Sequence, residues 1–211
     1  MSWFVVGDVH GCAEELRAIL RHASGRQVLL LGDLFTKGPD PVGVWECVRE
    51  CGADAILGNH DLRLLDILDG NRPGDRHGLS VVEDLNGADP TWAAWLQSRP
   101  LWKDIGWGLA VHAGLPPDGE VVGVAPDVLT CVRVLKTGPA KGQHWVDAYE
   151  GPRRVVYGHD ARRGIRRSVR DGHLRTIGLD SGCVYGGQLT AWMPDLDRMV
   201  QVPARRVYRS V

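Results

Sequence analysis

Five short apolar runs in this chain of 211 residues each stop at a glycine followed or preceded by oxygen and imidazole donors. They are "WFVV" before "GDVHG", "QVLLL" before "GDLFTKG", "ADAIL" before "GNHD", "GLAV" before "HAG" and "RVVY" before "GHD". Short runs of β-branched residues and leucine bounded by glycine predict buried strands. One Gly-Asp or Gly-His is an ordinary turn pair. Five of them at five strand ends predict a sheet with chemistry along one edge.

The segments between the first strands read as helices. "CAEELRAILRHA" places Leu16, Ile19 and Leu20 on one face. "PVGVWECVRECG" opens on proline and closes on glycine, as helices prefer. "DLRLLDILDG" is stopped by Gly70. Strand and helix alternate, which predicts a mainly parallel sheet. The second half reads differently. "RRSVRDGHLRTIGLD" predicts a hairpin around Asp171-Gly172. "GCVYGGQLTAWMPD" and "RMVQVPARRVY" read as further strands, so a second sheet, mixed or antiparallel, is expected to face the first. Residues 71–106 form an excursion rich in Gly, Pro and Asp, with an aromatic helix "DPTWAAWLQS"; they are a candidate cap near the site.

The length fits one domain over 1–211, and 44% hydrophobic residues suffice for a core. A net charge of -1 names no partner. The cysteines, Cys12, Cys47, Cys51, Cys131 and Cys183, form no Cys-x-x-Cys pair. Cys47 and Cys51 stand four apart in a helical pattern, the spacing of a metal pair or of plain packing. The start, "MSWFVVGDVHG", lacks the basic region of a signal peptide, and no apolar stretch reaches membrane length. A reducing cytoplasm is the expected location.

Ligands of parallel sheets bind beyond the carboxyl ends of the strands. Those ends carry Asp8, His10, Asp33, Asn59, His60, His112 and His159, all oxygen or imidazole donors. Such a set suits Mn, Fe or Zn better than a structural zinc held by thiolates, and magnesium seldom recruits so many histidines. The count fits two ions. Asp8 and His10 serve the first; Asn59, His112 and His159 the second; Asp33 bridges. Two ions about 3.5–4 Å apart activate water for in-line attack on phosphorus. His60, beside Asn59, is the candidate general acid. Lys37 follows Asp33 closely enough to meet a phosphate oxygen. His22, His77, His144 and His173 lie outside the pattern and read as surface or core histidines.

The five motifs, in this order over Gly7 to Asp160, resemble the signatures of the phosphoprotein-phosphatase-type metallophosphoesterases. "GNHDLRLL" and "LDSGCVYGGQLTAW" are similar to the bacterial symmetrical diadenosine tetraphosphatases and their ApaH-like relatives. The resemblance implies an α/β fold, a calcineurin-like β-sandwich of mixed sheets flanked by helices, with two metals at the strand tips. It implies cleavage of dinucleoside polyphosphates, diadenosine tetraphosphate giving ADP. Alternatives with the same chemistry are a protein Ser/Thr or Tyr phosphatase and a hydrolase of polyphosphate or RNA 5' ends. The metals are expected to be Mn, with Fe, Zn, Co and Mg as alternatives. A third class, a binding protein without turnover, is disfavoured by the complete ligand set.

Two departures stand out. Where the protein phosphatases carry Asp then Arg, this chain has Thr36 and Lys37, so the partner that orients His60 is open. The chain is also short for an ApaH enzyme. Arg133 resembles a phosphate-clamping arginine or is a surface arginine; Asp180 resembles a partner behind a ligand histidine or forms a turn; Tyr185 lies in the same match. Eight arginines between Arg153 and Arg175 either steer polyanions or line a solvated hairpin. Trp92, Trp95 and Tyr185 can stack a base or pack a core.

Overall fold

Strand β1, Trp3–Val6, is buried on both faces, and its alternation sets the layers of the molecule. Phe4 and Val6 point to a core beneath helices, while Trp3 and Val5 point to a core between two sheets. A computed structural model describes residues 2–210. After β1 come α1 (Ala13–Leu20), β2 (Gln27–Leu30), α2 (Pro41–Cys51), β3 (Asp54–Ala55) and α3 (Asn59–Leu68). Then follow α4 (Arg76–Ala88), α5 (Thr91–Gln97), β4 (Trp102–Asp104) and β5 (Leu109–Val111). The rest comprises α6 (Pro126–Cys131), α7 (Trp145–Ala148), β6 (Val155–Tyr157), β7 (Arg166–Arg170), β8 (His173–Gly178), a 3-10 turn (Cys183–Tyr185), β9 (Gln188–Met193) and β10 (Arg198–Pro203).

The first sheet has the order β10-β9-β1-β2-β3, with β1, β2 and β3 parallel. The second has the order β4-β5-β6-β8-β7, with β5, β6 and β8 parallel between antiparallel edges. The expected sandwich of mixed sheets flanked by helices is therefore present. The predicted helices α1, α2 and α3 form. Asp40 caps α2 by accepting from the Gly43 amide at 2.7 Å, and Gly52 ends it at φ 61°. The hairpin at Asp171-Gly172 joins β7 to β8.

One expectation is corrected. The last two strands do not extend the second sheet; β9 pairs antiparallel with β1 and carries β10 with it. The reason is burial on both faces: Leu189, Ala191 and Met193 enter the helix-covered core, and Trp192 enters the core between the sheets. Only a central position covers both. A third core lies outside the second sheet, where Leu109, Val111, Val155 and Tyr157 pack on Trp145 and Tyr149.

The 71–106 excursion splits in two. The first turn of α4 borders the cleft described below, whereas α5 packs away from it. Trp92 is fully buried against Phe35, and Trp95 packs on Trp45. These tryptophans are core rather than base platforms. Cys47 is buried and Cys51 exposed; among the described residues no further ligand joins them.

Candidate metal centre

An open cleft of about 1290 Å³ lies where the carboxyl ends of the two sheets meet. Its lining includes Asp8, His10, Asp33, Asn59, His60 and His159. His112 stands behind them, fully buried.

The first-sheet half is shaped by the loops after β1 and β2. The His10 amide donates to the Asp33 carbonyl at 2.7 Å, which locks the two loops together. His10 Nε2 lies 3.4 Å from Asp33 Oδ2 and 4.0 Å from Asp8 Oδ2. Asp33 is itself positioned by Asp61, a residue the sequence did not single out. The Asp61 carboxylate accepts from the amides of Asp33 at 2.6 Å, Leu34 at 2.9 Å and Gly58 at 2.9 Å. Burial and the nearby Asp33 push its pKa up to about 7, against the amides that favour its anion. Asp61 is the fourth letter of "GNHD" and the third residue of α3, a position that commonly reaches back across a helix start. That was the available signal. Gly58 must be glycine here, because a Cβ would strike Asp33 Oδ1.

The second-sheet half hangs on two cross-sheet bonds. His112 Nδ1–H donates to the Leu31 carbonyl at 2.7 Å, which turns Nε2 toward Asn59 Oδ1 at 3.2 Å and Asp33 Oδ1 at 3.5 Å. The His159 amide donates to the Asp8 carboxylate at 3.0 Å. Its ring meets His112 edge-on, with centroids 5.1 Å apart.

Three observations ask for cations in this place. Asp8, His10 and Asp33 bring donor atoms within 4.8 Å of one another, and so do Asp33, His112 and His159. His159 Nε2 is buried without a hydrogen-bond partner. Third, Asp8 is pushed well up by burial and by the neighbouring Asp180, while Asp33 and Asp8 raise His112 to about 10 against its burial. Carboxylates gathered this closely lack positive charge. His159, by contrast, is lowered to about 3, by burial and then by His112 and Arg133, so its lone pair is free for a metal. The residues fit divalent ions.

The other predicted residues divide. The His60 amide donates to Asp33 Oδ1 at 2.9 Å, and its ring stands edge-on to His10 at 5.2 Å. Burial lowers it to about 4. Thr36 does not orient it: the Thr36 hydroxyl is buried without a partner. Lys37 reaches into the cleft, Nζ 2.8 Å from His10 Nε2 and 5.5 Å above the Tyr185 ring. Its amide donates to His77 Nε2 at 2.7 Å, which corrects the assignment of His77 to the bulk surface or core. Nothing in the motif pattern pointed to His77. Arg133 also borders the cleft, donating to the His159 carbonyl at 2.8 Å. His144 backs this half through Asp160, 3.0 Å away.

Of the two readings of Asp180, the turn is the one seen. Asp180 contacts no ligand histidine among the described residues; it accepts from the Gly182 amide at 3.0 Å, shaping the turn that presents Tyr185. The arginine cluster is mostly structural. Arg153 pairs with Asp104, Arg163 and Arg166 with Asp147, and Arg167 with Asp197. Of the eight, Arg162 alone lines the cleft. The rim instead draws Arg63, Arg76 and Arg209 from elsewhere in the chain.

Two facing mixed sheets with Asp, His and Asn gathered at their strand tips define the metallophosphoesterase class. The profile of the calcineurin-like phosphoesterases matches residues 1–190, and the chain belongs to that family, whose members use a dinuclear metal centre. It is 30% identical to the asymmetrical bis(5'-nucleosyl)-tetraphosphatase PrpE of Oceanobacillus iheyensis, over 97% of this chain and 93% of the relative. It is 36% identical to the symmetrical bis(5'-nucleosyl)-tetraphosphatase of Pectobacterium atrosepticum, over 65% of this chain and 50% of the relative. A crystal structure of a candidate diadenosine tetraphosphatase superposes with a TM-score of 0.81 at 32% identity, covering 96% of this chain and 93% of that one. Among the described residues no helix is long and apolar enough to cross a membrane.

Proposed function

We propose that this chain hydrolyses phosphoanhydride bonds of dinucleoside polyphosphates in the reducing cytoplasm, with two divalent ions, Mn foremost. The observation that carries the reading is the convergence of both donor sets on Asp33 inside a cleft rimmed by arginine. Asp8 and His10 would hold one ion, Asn59, His112 and His159 the other, and Asp33 both. Bound there, the ions supply a nucleophilic water and Lewis acidity toward the phosphoryl oxygens.

The chain's own residues do the remainder. Asp61 fixes the backbone at Asp33 and the His60 amide holds the Asp33 carboxylate, so its geometry is set before substrate arrives. Arg63, Arg76 and Arg209 draw a polyphosphate in from the first-sheet side; Arg133 and Arg162 draw it from the second-sheet side. Lys37, held over Tyr185, presents its ammonium to a phosphate oxygen. Burial holds the His60 pKa down, at about 4. The negative charge of bound phosphate raises its pKa, so that it delivers a proton to the leaving oxygen.

Arginines on both sides of the cleft favour a cut near the middle of the phosphate chain, giving ADP from diadenosine tetraphosphate. Similarity to an asymmetrical enzyme over 97% of this chain favours the other cut, giving AMP and ATP. The test is to incubate Mn-loaded protein with diadenosine tetraphosphate, ATP, polyphosphate, 5'-triphosphorylated RNA and phosphopeptides, and to identify products. ADP alone supports the symmetrical reading; AMP with ATP replaces it. Turnover of phosphopeptides with indifference to nucleotides overturns the proposal.

A further inference from the structure

On the α1 side of the first sheet, behind the turn that presents Tyr185, stand three donors that the chemistry above does not use. Cys12 Sγ, Cys183 Sγ and a Glu15 carboxylate oxygen all lie within 4.8 Å of one another. Cys12 precedes α1, Glu15 sits in its first turn, and Cys183 begins the 3-10 turn. All three are buried, with 0%, 1% and 2% exposure for Cys12, Glu15 and Cys183.

Two buried cysteines alone are ordinary core packing. The carboxylate is not. Glu15 Oε1 accepts from the Tyr208 hydroxyl at 2.7 Å and the Arg205 amide at 2.9 Å. Oε2 is buried with no hydrogen-bond partner. Burying a carboxylate oxygen bare is costly. A carboxylate steadied through one oxygen and free at the other, beside two sulfurs, has the form of a metal ligand with its outer supports.

We propose that Cys12, Glu15 and Cys183 bind a thiophilic divalent cation of the zinc class, at a position separate from the Asp–His centre. Thiolates with one carboxylate suit zinc or cobalt, whereas manganese and magnesium prefer oxygen. The two thiols bind as thiolates and release their protons to solvent. The Tyr208 hydroxyl is a further oxygen at the same cluster. The ion ties α1 to the C-terminal segment and to the 3-10 turn. That segment is already docked there, since the amides of Tyr208 and Arg209 both donate to the Val184 carbonyl. The proposed ion therefore braces the Tyr185 and Arg209 wall of the cleft from behind.

Cobalt titration of the full chain tests this without relying on activity. The Asp–His centre contains no sulfur, so a thiolate-to-cobalt charge-transfer band in the near ultraviolet cannot come from it, and loss of the band in Cys183→Ser assigns it to the proposed site rather than to Cys47, Cys51 or Cys131. The expected result is that band, bleached by zinc, with one cobalt equivalent beyond those of the Asp–His centre. Cys183→Ser loses the band and that equivalent and keeps the rest. Saturation of the wild-type chain without a thiolate band overturns the proposal, and this reading needs no variant to fold.

Discussion

The two sheets reach one cleft by different means. The first-sheet half is prearranged locally: one carboxylate, Asp61, gathers three amides around Asp33, and the His10 amide bonds the neighbouring loop. The second-sheet half is held from across the sandwich, by the Leu31 carbonyl on His112 and the Asp8 carboxylate on His159. The lesson is directional. Damage to the first half should propagate to the second, while damage behind the second should stay there.

Asp33→Asn should have the largest effect, because Asp33 belongs to both donor sets. Turnover should fall to background, and elemental analysis should show loss of metal from both positions; retained full activity breaks the scheme. His60→Ala comes next, with a loss of about 10²–10⁴-fold on the anhydride. The deficit should shrink on aryl phosphates with acidic phenols, which need no proton on departure; an equal loss on both substrates removes the general-acid role. Asp61→Asn should cost roughly 10–100-fold in metal affinity or activity. Asp160→Asn should cost less, since Asp8 still holds the His159 amide; comparing the two metal titrations decides whether the asymmetry is real. Arg162→Ala with Arg209→Ala should raise KM for the dinucleotide and leave an aryl phosphate unchanged. Trp92→Ala should change kinetics least of all while lowering stability by about 3–5 kcal/mol, measured by denaturant unfolding.

The same division explains what could be read from the sequence. The first half was legible because strand, motif and helix follow one another: "GDVHG" and "GDLFTKG" each end a strand and precede α1 and α2, and "GNHD" follows β3 and opens α3. The hairpin was legible from Asp171-Gly172. The return of β9 to β1 was not, because an apolar strand does not state which sheet will cover both its faces. Helix α4 was hidden by Gly78 and Gly87, although Asp75 caps it and Val81 and Leu85 repeat at helical spacing. The arginine run stayed open between its two readings because its partners, Asp104, Asp147 and Asp197, lie outside it in the sequence. His77 was invisible for a similar reason: it meets Lys37 from forty residues away.

His10, Asp33, Lys37 and His159 share one further property: their φ angles are 47°, 54°, 71° and 69°, in the region that suits glycine. Each such residue costs about 1–3 kcal/mol. The catalytic edge is therefore a loaded spring, compressed by the two cores beneath it. Lys37→Gly should give a tougher and poorer catalyst, so selection for heat resistance alone would erode this edge first.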